Sequence, residues 1–196
     1  MSQSNAGPGA PTGAGSPWIL RWLDRLPRGA SVLDFAAGSG RHARAAAERG
    51  LQVLAVDRDE QALARLPDGQ AAGSPTIRSR AVDLESGPWP FAAHERFDAV
   101  VVANYLFRPR FALLASLLAP GGLLVYETFA QGNERYGRPS NPAFLLAPGE
   151  LFERAQRAGL TVLAYEAGLV QRPSPAAIQR VCAIRARGAE ALALLG

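Results

Sequence analysis

Apolar and polar positions along this chain switch between two rhythms, short buried runs and stretches of helical spacing. Pro17 to Leu26 puts Trp18, Ile19, Trp22, Leu23 and Leu26 on one side of a helix, with Pro17 suited to its first turn and Ser16 to its cap. A strand is expected over 31–36, a helix over 40–49 and a second strand over 52–57. Gln61 to Leu66 reads as a short helix ended by Pro67-Asp68-Gly69, and a third strand should lie near 76–82. Phe97 to Ala103 is almost continuously apolar, as a central strand covered on both faces must be.

Further on, Arg110 to Ala119 predicts a helix, with Pro120-Gly121-Gly122 as a sharp stop before a strand over Leu123 to Thr128. A polar segment rich in Gly and Pro, Ala130 to Pro148, breaks the pattern. Gly149 to Ala158 is helical, with Gly159 as its stop. Thr161 to Val170 and Gln179 to Arg187 read as strands joined by Arg172-Pro173-Ser174-Pro175, with no helix between them. They should therefore pair as an antiparallel edge hairpin. The sum is an α/β fold, a doubly wound, mostly parallel seven-stranded sheet with a C-terminal antiparallel hairpin.

With 196 residues and 48% hydrophobic content, one domain over 16–196 is the expectation, preceded by a disordered tail at 1–15 rich in Gly, Pro, Ala and Ser. That tail lacks the basic and apolar regions of a signal peptide, and no stretch is apolar for long enough to span a membrane. A cytoplasmic location follows as the default. The net charge is +4, yet all 21 basic residues are arginine and they are interspersed with acids. This reads as compositional bias and solvated helix faces rather than a nucleic-acid surface. The single cysteine, Cys182, excludes an internal disulfide and a multi-cysteine zinc site, and no metal is expected. It lies in an apolar run and reads as a small buried hydrophobe.

Chemistry concentrates between Ser31 and Asp57, where a strand, a glycine-rich turn, a helix and a second strand ending on an acid follow one another. Asp34 ends the first apolar run, and a carboxylate there is costly unless a ligand ammonium or the turn's own N–H groups satisfy it. Gly38, Ser39 and Gly40 form the turn, the glycines letting a ligand approach the backbone where a Cβ would collide. The helix behind begins with Arg41 and His42, its free N–H groups favouring an anion that Arg41 could also hold. His42 is expected to face solvent. Asp57 can accept both hydroxyls of a ribose, with Arg58 beside it, while Asp59 suits the cap of the next helix.

Asp34-Phe35-Ala36-Ala37-Gly38-Ser39-Gly40 resembles the D-x-G-x-G-x-G loop of class I S-adenosylmethionine-dependent methyltransferases, with Ala36 in place of the first glycine. The resemblance runs from about Trp18 to Arg187 and is to the compact single-domain type, similar to tellurite-resistance-type methyltransferases. It implies a Rossmann-like fold, S-adenosyl-L-methionine as cofactor, ribose binding by Asp57, and Asp83 with Leu84 beside the adenine. It also places Asn104-Tyr105-Leu106-Phe107 near the transferred methyl. Only the first and last of those four match the [DN]-P-P-[YF] motif of amino-group methyltransferases. Asn141-Pro142-Ala143-Phe144 matches three positions but follows the wrong strand.

Glu127 ends the fifth strand, where it could orient or deprotonate a nucleophile or serve as a tied structural carboxylate. Arg135, Tyr136 and Arg138, in the long segment after it, are candidates to shape an acceptor site or a structural flap. Trp89 between two prolines reads as packing. The implied reaction is methyl transfer by SN2, with a small-molecule acceptor favoured over RNA or protein. A non-catalytic cofactor-binding domain is a further alternative. The spacing Gly38-x-Gly40-x-x-Ala43 also fits a dinucleotide fingerprint, but Asp34 would repel a pyrophosphate and the chain has no lysine for a Tyr/Lys catalytic pair. The oligomeric state is left open.

Overall fold

Alternation along one strand, Phe97–Ala103, builds both layers of the molecule. Ala99 and Val101 point to one face and Val100 and Val102 to the other, all at most 1% exposed. The computed structural model describes residues 15–67, 77–171 and 174–185. The expected tail lies outside these except for Gly15, as do Asp68-Gly69, Arg172-Pro173 and residues 186–187 of the last expected strand.

The elements in chain order are α1 (Pro17–Leu23), β1 (Ser31–Phe35), α2 (Arg41–Glu48), β2 (Gln52–Asp57), α3 (Glu60–Leu63), β3 (Ile77–Ala81) and β4 (Phe97–Ala103). They continue with α4 (Phe111–Ser116), β5 (Leu118–Phe129), α5 (Glu150–Arg157), β6 (Thr161–Val170) and β7 (Ala176–Ile184). The sheet runs β3-β2-β1-β4-β5-β7-β6. The first five strands are parallel, and β7 is antiparallel to both of its neighbours. The mostly parallel seven-stranded sheet with a C-terminal antiparallel hairpin is therefore what forms, with β6 outermost.

Two apolar layers cover the sheet. On one side Trp18, Ile19, Trp22 and Leu23 of α1 and the alanines of α2 pack on Val32, Val53, Val101 and Cys182. Cys182 is fully buried, as its apolar setting implied, and burial pushes its thiol far above the usual range. On the other side Leu114 of α4 and Leu151 and Ala155 of α5 pack on Phe35, Val100, Leu124, Tyr126 and Val181. Burial of this area from water supplies most of the driving force. No helix among the described residues is long and apolar enough to cross a membrane.

The expected helix over Arg110 to Ala119 is shorter than its pattern, ending at Ser116. Leu117 and Leu118 are almost fully buried and already answer to the sheet, the Leu117 carbonyl accepting from Phe97 N–H at 2.8 Å. Pro120-Gly121-Gly122 does not separate helix from strand. It forms a bulge inside β5, which advances from Leu118 to Leu123 while β4 advances from Phe97 to Ala99. Arg185 closes the bulge, its guanidinium donating to the Leu118 carbonyl at 2.6 Å.

A Cβ added at Gly122 would lie 2.9 Å from the carbonyl oxygens of both Ala119 and Phe97, which belong to backbone and cannot swing aside. Gly122→Ala should therefore lower unfolding stability by about 1–3 kcal/mol, read from urea denaturation. An unchanged midpoint would show that the bulge gives way without cost.

Candidate functional site

The carboxyl ends of β1, β2, β4 and β5 meet at one edge of the sheet, and nearly every polar group singled out above gathers there. Asp34 leaves β1 with 2% of its surface exposed, and its Oδ2 accepts from the Ala43 N–H at 2.9 Å. That bond joins the strand to the first turn of α2. The loop between them is held in left-handed backbone at Ala36 (φ 59°), Gly38 (φ 55°) and Gly40 (φ 72°). Alanine is uncommon in this region, so Ala36 carries the strain that a glycine would avoid.

The two glycines do different work. A Cβ at Gly40 would come within 2.3 Å of Leu66 Cδ2, so this glycine lets the start of α2 settle against the Leu66 side chain, just past α3. One at Gly38 would meet no atom within 4 Å and would project into open space. The expected collision of a Cβ with a ligand therefore concerns Gly38. Asp57 Oδ2 accepts from Gly38 N–H at 2.7 Å and its Oδ1 from Asp59 N–H at 3.0 Å. Each oxygen keeps one lone pair. Asp59 caps α3 through the Ala62 N–H, as expected. Ser39 is exposed, its carbonyl tied by Arg44, while Arg41 is half-buried and Arg58 exposed.

His42 does not face solvent as its place on α2 suggested. It is 3% exposed, its Nε2 accepts from the Ser16 N–H at 3.0 Å, and burial pushes its pKa down to about 3. The segment entering α1 lies over it. Ser16 in turn does not cap α1 with its side chain, its hydroxyl donating to Glu127 Oε2 at 3.0 Å instead. Glu127 is thus a tied carboxylate, although its partners are Ser16 and, at 3.3 Å, Arg180 rather than loop N–H groups. Arg180 also pairs with Glu166 and lies over the Trp18 ring at 4.9 Å.

Asn104, next to Glu127 across the β4–β5 ladder, is exposed and left-handed (φ 55°), its N–H donating to the Glu127 carbonyl at 2.9 Å. Tyr105 turns the other way. Its ring stands edge-on to Phe35 at 5.7 Å, on the side of the connection between β3 and β4. In that connection Asp83 is exposed and spends its carboxylate on the Glu85 and Ser86 N–H groups and the Ser86 hydroxyl, while Leu84 is buried. Trp89 packs on Phe35 and Phe91. Arg110 donates to the Leu84 and Gly87 carbonyls and fixes the connection to the start of α4.

The long segment after β5 is a fixed wall. Asn133, 2% exposed, donates to the Pro139 carbonyl and accepts from Ala177 N–H. Gln179 donates to the Ala147 carbonyl at 2.6 Å and accepts from Leu151 N–H and the Tyr165 hydroxyl. Arg108 forks onto Glu150 at 2.7 and 2.9 Å and reaches the Ala143 and Leu145 carbonyls. That guanidinium holds the Glu150 carboxyl down to about 2. Arg135, Tyr136 and Arg138 are exposed on the wall. Among the bracing residues, Gln179 and Arg180 carried a signal in the sequence, a polar break in an otherwise apolar strand. Arg108 carried none.

Residues 32–122 match a family described as "Methyltransferase domain". The chain is similar to the ribosomal protein L11 methyltransferase of Xylella fastidiosa, 39% identical over 124 residues. This match covers 59% of the chain and 39% of the relative, so the chain spans about two fifths of the length of the curated relatives it matches. Among solved structures, TehB of Haemophilus influenzae superposes with a TM-score of 0.68 at 18% identity, covering 85% of this chain and 61% of that one. An S-adenosylmethionine-dependent methyltransferase of Mesorhizobium loti gives 0.63 at 22%, covering 85% and 95%. Residues 32–122 thus carry the match to a methyltransferase domain, and strand order and loop give the chain the Rossmann-like fold of S-adenosylmethionine-dependent methyltransferases. Their cofactor fits the residues present: open space over Gly38, a buried carboxyl at Asp34, and free lone pairs on Asp57.

Burial raises the Asp34 carboxyl from 3.8 to about 7, against the pull of the Ala43 amide and Arg41. A carboxyl raised in this way holds its proton more tightly in the folded chain. Its contribution to stability is complete below pH 3.8 and is lost as pH climbs to about 7. Relative to Asp34→Asn, the ligand-free protein should lose on the order of a few kcal/mol across that window in urea unfolding. Parallel curves for the two proteins would contradict this.

Proposed function

We propose that this chain transfers the methyl group of S-adenosylmethionine, by in-line displacement, to a nucleophilic atom of a small-molecule acceptor bound where β4 and β5 end. The observation that carries the reading is the left-handed loop over Gly38, flanked by the buried Asp34 and the half-buried Asp57. The cofactor supplies the sulfonium leaving group, and the residues supply position, which can be worth about 7–11 kcal/mol of barrier.

In this reading the loop N–H groups and Arg41 receive the methionine carboxylate, and Asp34 offsets the ammonium. Asp57 accepts the ribose hydroxyls, with Arg58, Asp83 and Leu84 bordering the adenine. Asn104 and Glu127 face the acceptor, and Arg180 and Ser16 hold the Glu127 carboxylate in one orientation. A small acceptor is favoured because the arginines nearest that end are engaged. Arg108 holds Glu150, Arg110 holds loop carbonyls and Arg180 holds Glu127 and Glu166, so they form no basic track.

A protein amine is the second reading, favoured by the similarity to ribosomal protein L11 methyltransferases. Labelled S-adenosylmethionine offered with purified L11 and, separately, with pools of amines, thiols and metalloid oxyanions separates the two. Label entering L11 alone would overturn the small-molecule reading.

Titration calorimetry with S-adenosylhomocysteine, and NADH as control, tests the cofactor. Micromolar or tighter binding of the former alone is expected, and NADH alone would refute the reading. Asp57→Ala should weaken S-adenosylhomocysteine at least tenfold, about 1.4 kcal/mol, with an unchanged circular dichroism spectrum.

A further inference from the structure

A hydroxyl inside the protein normally has a partner, because losing water without gaining a hydrogen bond is costly. The Tyr105 hydroxyl is buried and has none among the described residues. Its backbone is fixed, since the Tyr105 carbonyl accepts from the Tyr126 hydroxyl at 2.7 Å. Its ring is fixed too, edge-on to Phe35 in an aromatic cleft shared with Phe107, Arg110 and Phe111. The side chain is thus aimed, and the aim leaves its polar atom unpaired.

The charged groups whose fields reach this phenol are Glu85, Arg110, Asp83 and Arg58. They come from the tip of β2, the β3–β4 connection and the approach to α4, which together surround the nucleoside end of the site proposed above. None of them closes the gap. Arg110 is spent on the Leu84 and Gly87 carbonyls, and Asp83 on its own turn.

We propose that the Tyr105 hydroxyl determines specificity at the nucleoside half of the cofactor, hydrogen bonding to the adenosine portion when it is bound. The inference rests on the cofactor reading. It departs from the placement of Tyr105 near the transferred methyl, because the ring turns toward Asp83 and away from Glu127. A phenol that pairs only with ligand carries an unusual signature: removing it weakens binding without weakening the fold.

The test is Tyr105→Phe beside the wild type, titrated with S-adenosylhomocysteine and with 5′-methylthioadenosine, which shares the nucleoside and lacks the amino-acid end. Both ligands should bind about tenfold more weakly to the variant. The ligand-free variant should melt at the same temperature or higher. Equal affinities, or a loss confined to S-adenosylhomocysteine, would overturn the assignment. So would a lower melting temperature with unchanged affinities, which would give the hydroxyl to the fold. A wild type that binds neither ligand would bring down the cofactor reading itself, and is told apart because the variant is then not needed.

Discussion

One carboxyl group sets the terms for the functional edge of this sheet. Asp34 sits where a central strand ends, with almost no access to water, and it binds the amide that starts the third residue of α2. Strand and helix are thereby held at a fixed separation, and the intervening residues have to double back within that span. Left-handed backbone at Ala36, Gly38 and Gly40 is the consequence. The same burial keeps the group close to neutrality in the free protein, so a cation arriving beside it would favour the ionised form. The group that organises the loop is thus one whose charge a bound cation would alter.

Strain is distributed by the same logic. The described residues hold two non-glycine positions in left-handed backbone, Ala36 and Asn104, one after β1 and the other after the neighbouring β4. Both lie at the carboxyl edge, and neither is in a surface turn remote from it. Asparagine tolerates the conformation better than alanine does, and its amide is held by the Glu127 carbonyl. Around them the supports are polar and specific: Arg108 against Glu150, Gln179 against the Ala147 carbonyl, Ser16 against Glu127. Strained backbone persists where the surroundings over-determine it.

The sheet was legible because both of its faces are buried, which turns each strand into a near-continuous apolar run, Phe97 to Ala103 being the plainest. Antiparallel closure could be read from the absence of a helix between Thr161 and Ile184. Where the pattern misled, tertiary contacts overrode local periodicity: Leu117 and Leu118 have helical spacing but are claimed by β4 and the bulge. In the site, Asp34, Gly38 and Asp57 were visible as residues of fixed spacing on adjacent elements. His42 was not, because its surroundings are set by the segment before α1, 26 positions away in the chain. Glu127 could be placed at its strand end, yet its partners Ser16 and Arg180 are 111 and 53 positions away. Pairings of that kind leave no trace in local pattern.

The order of strands also bears on how the chain is made. β6 is synthesised before β7 yet lies outside it, hydrogen-bonded to no other strand of the sheet. Until the residues through Ile184 have left the ribosome, β6 has no place to dock and β5 presents an open edge. The parallel half, with its glycine loop, is complete in sequence 55 residues earlier by chain order, since β5 ends at Phe129 and β7 runs to Ile184. Arg180, which completes the Ser16–Glu127 clasp, arrives with the last strand. The nascent protein therefore passes through an interval in which the sequence of β1 to β5 is complete and Glu127 still lacks Arg180.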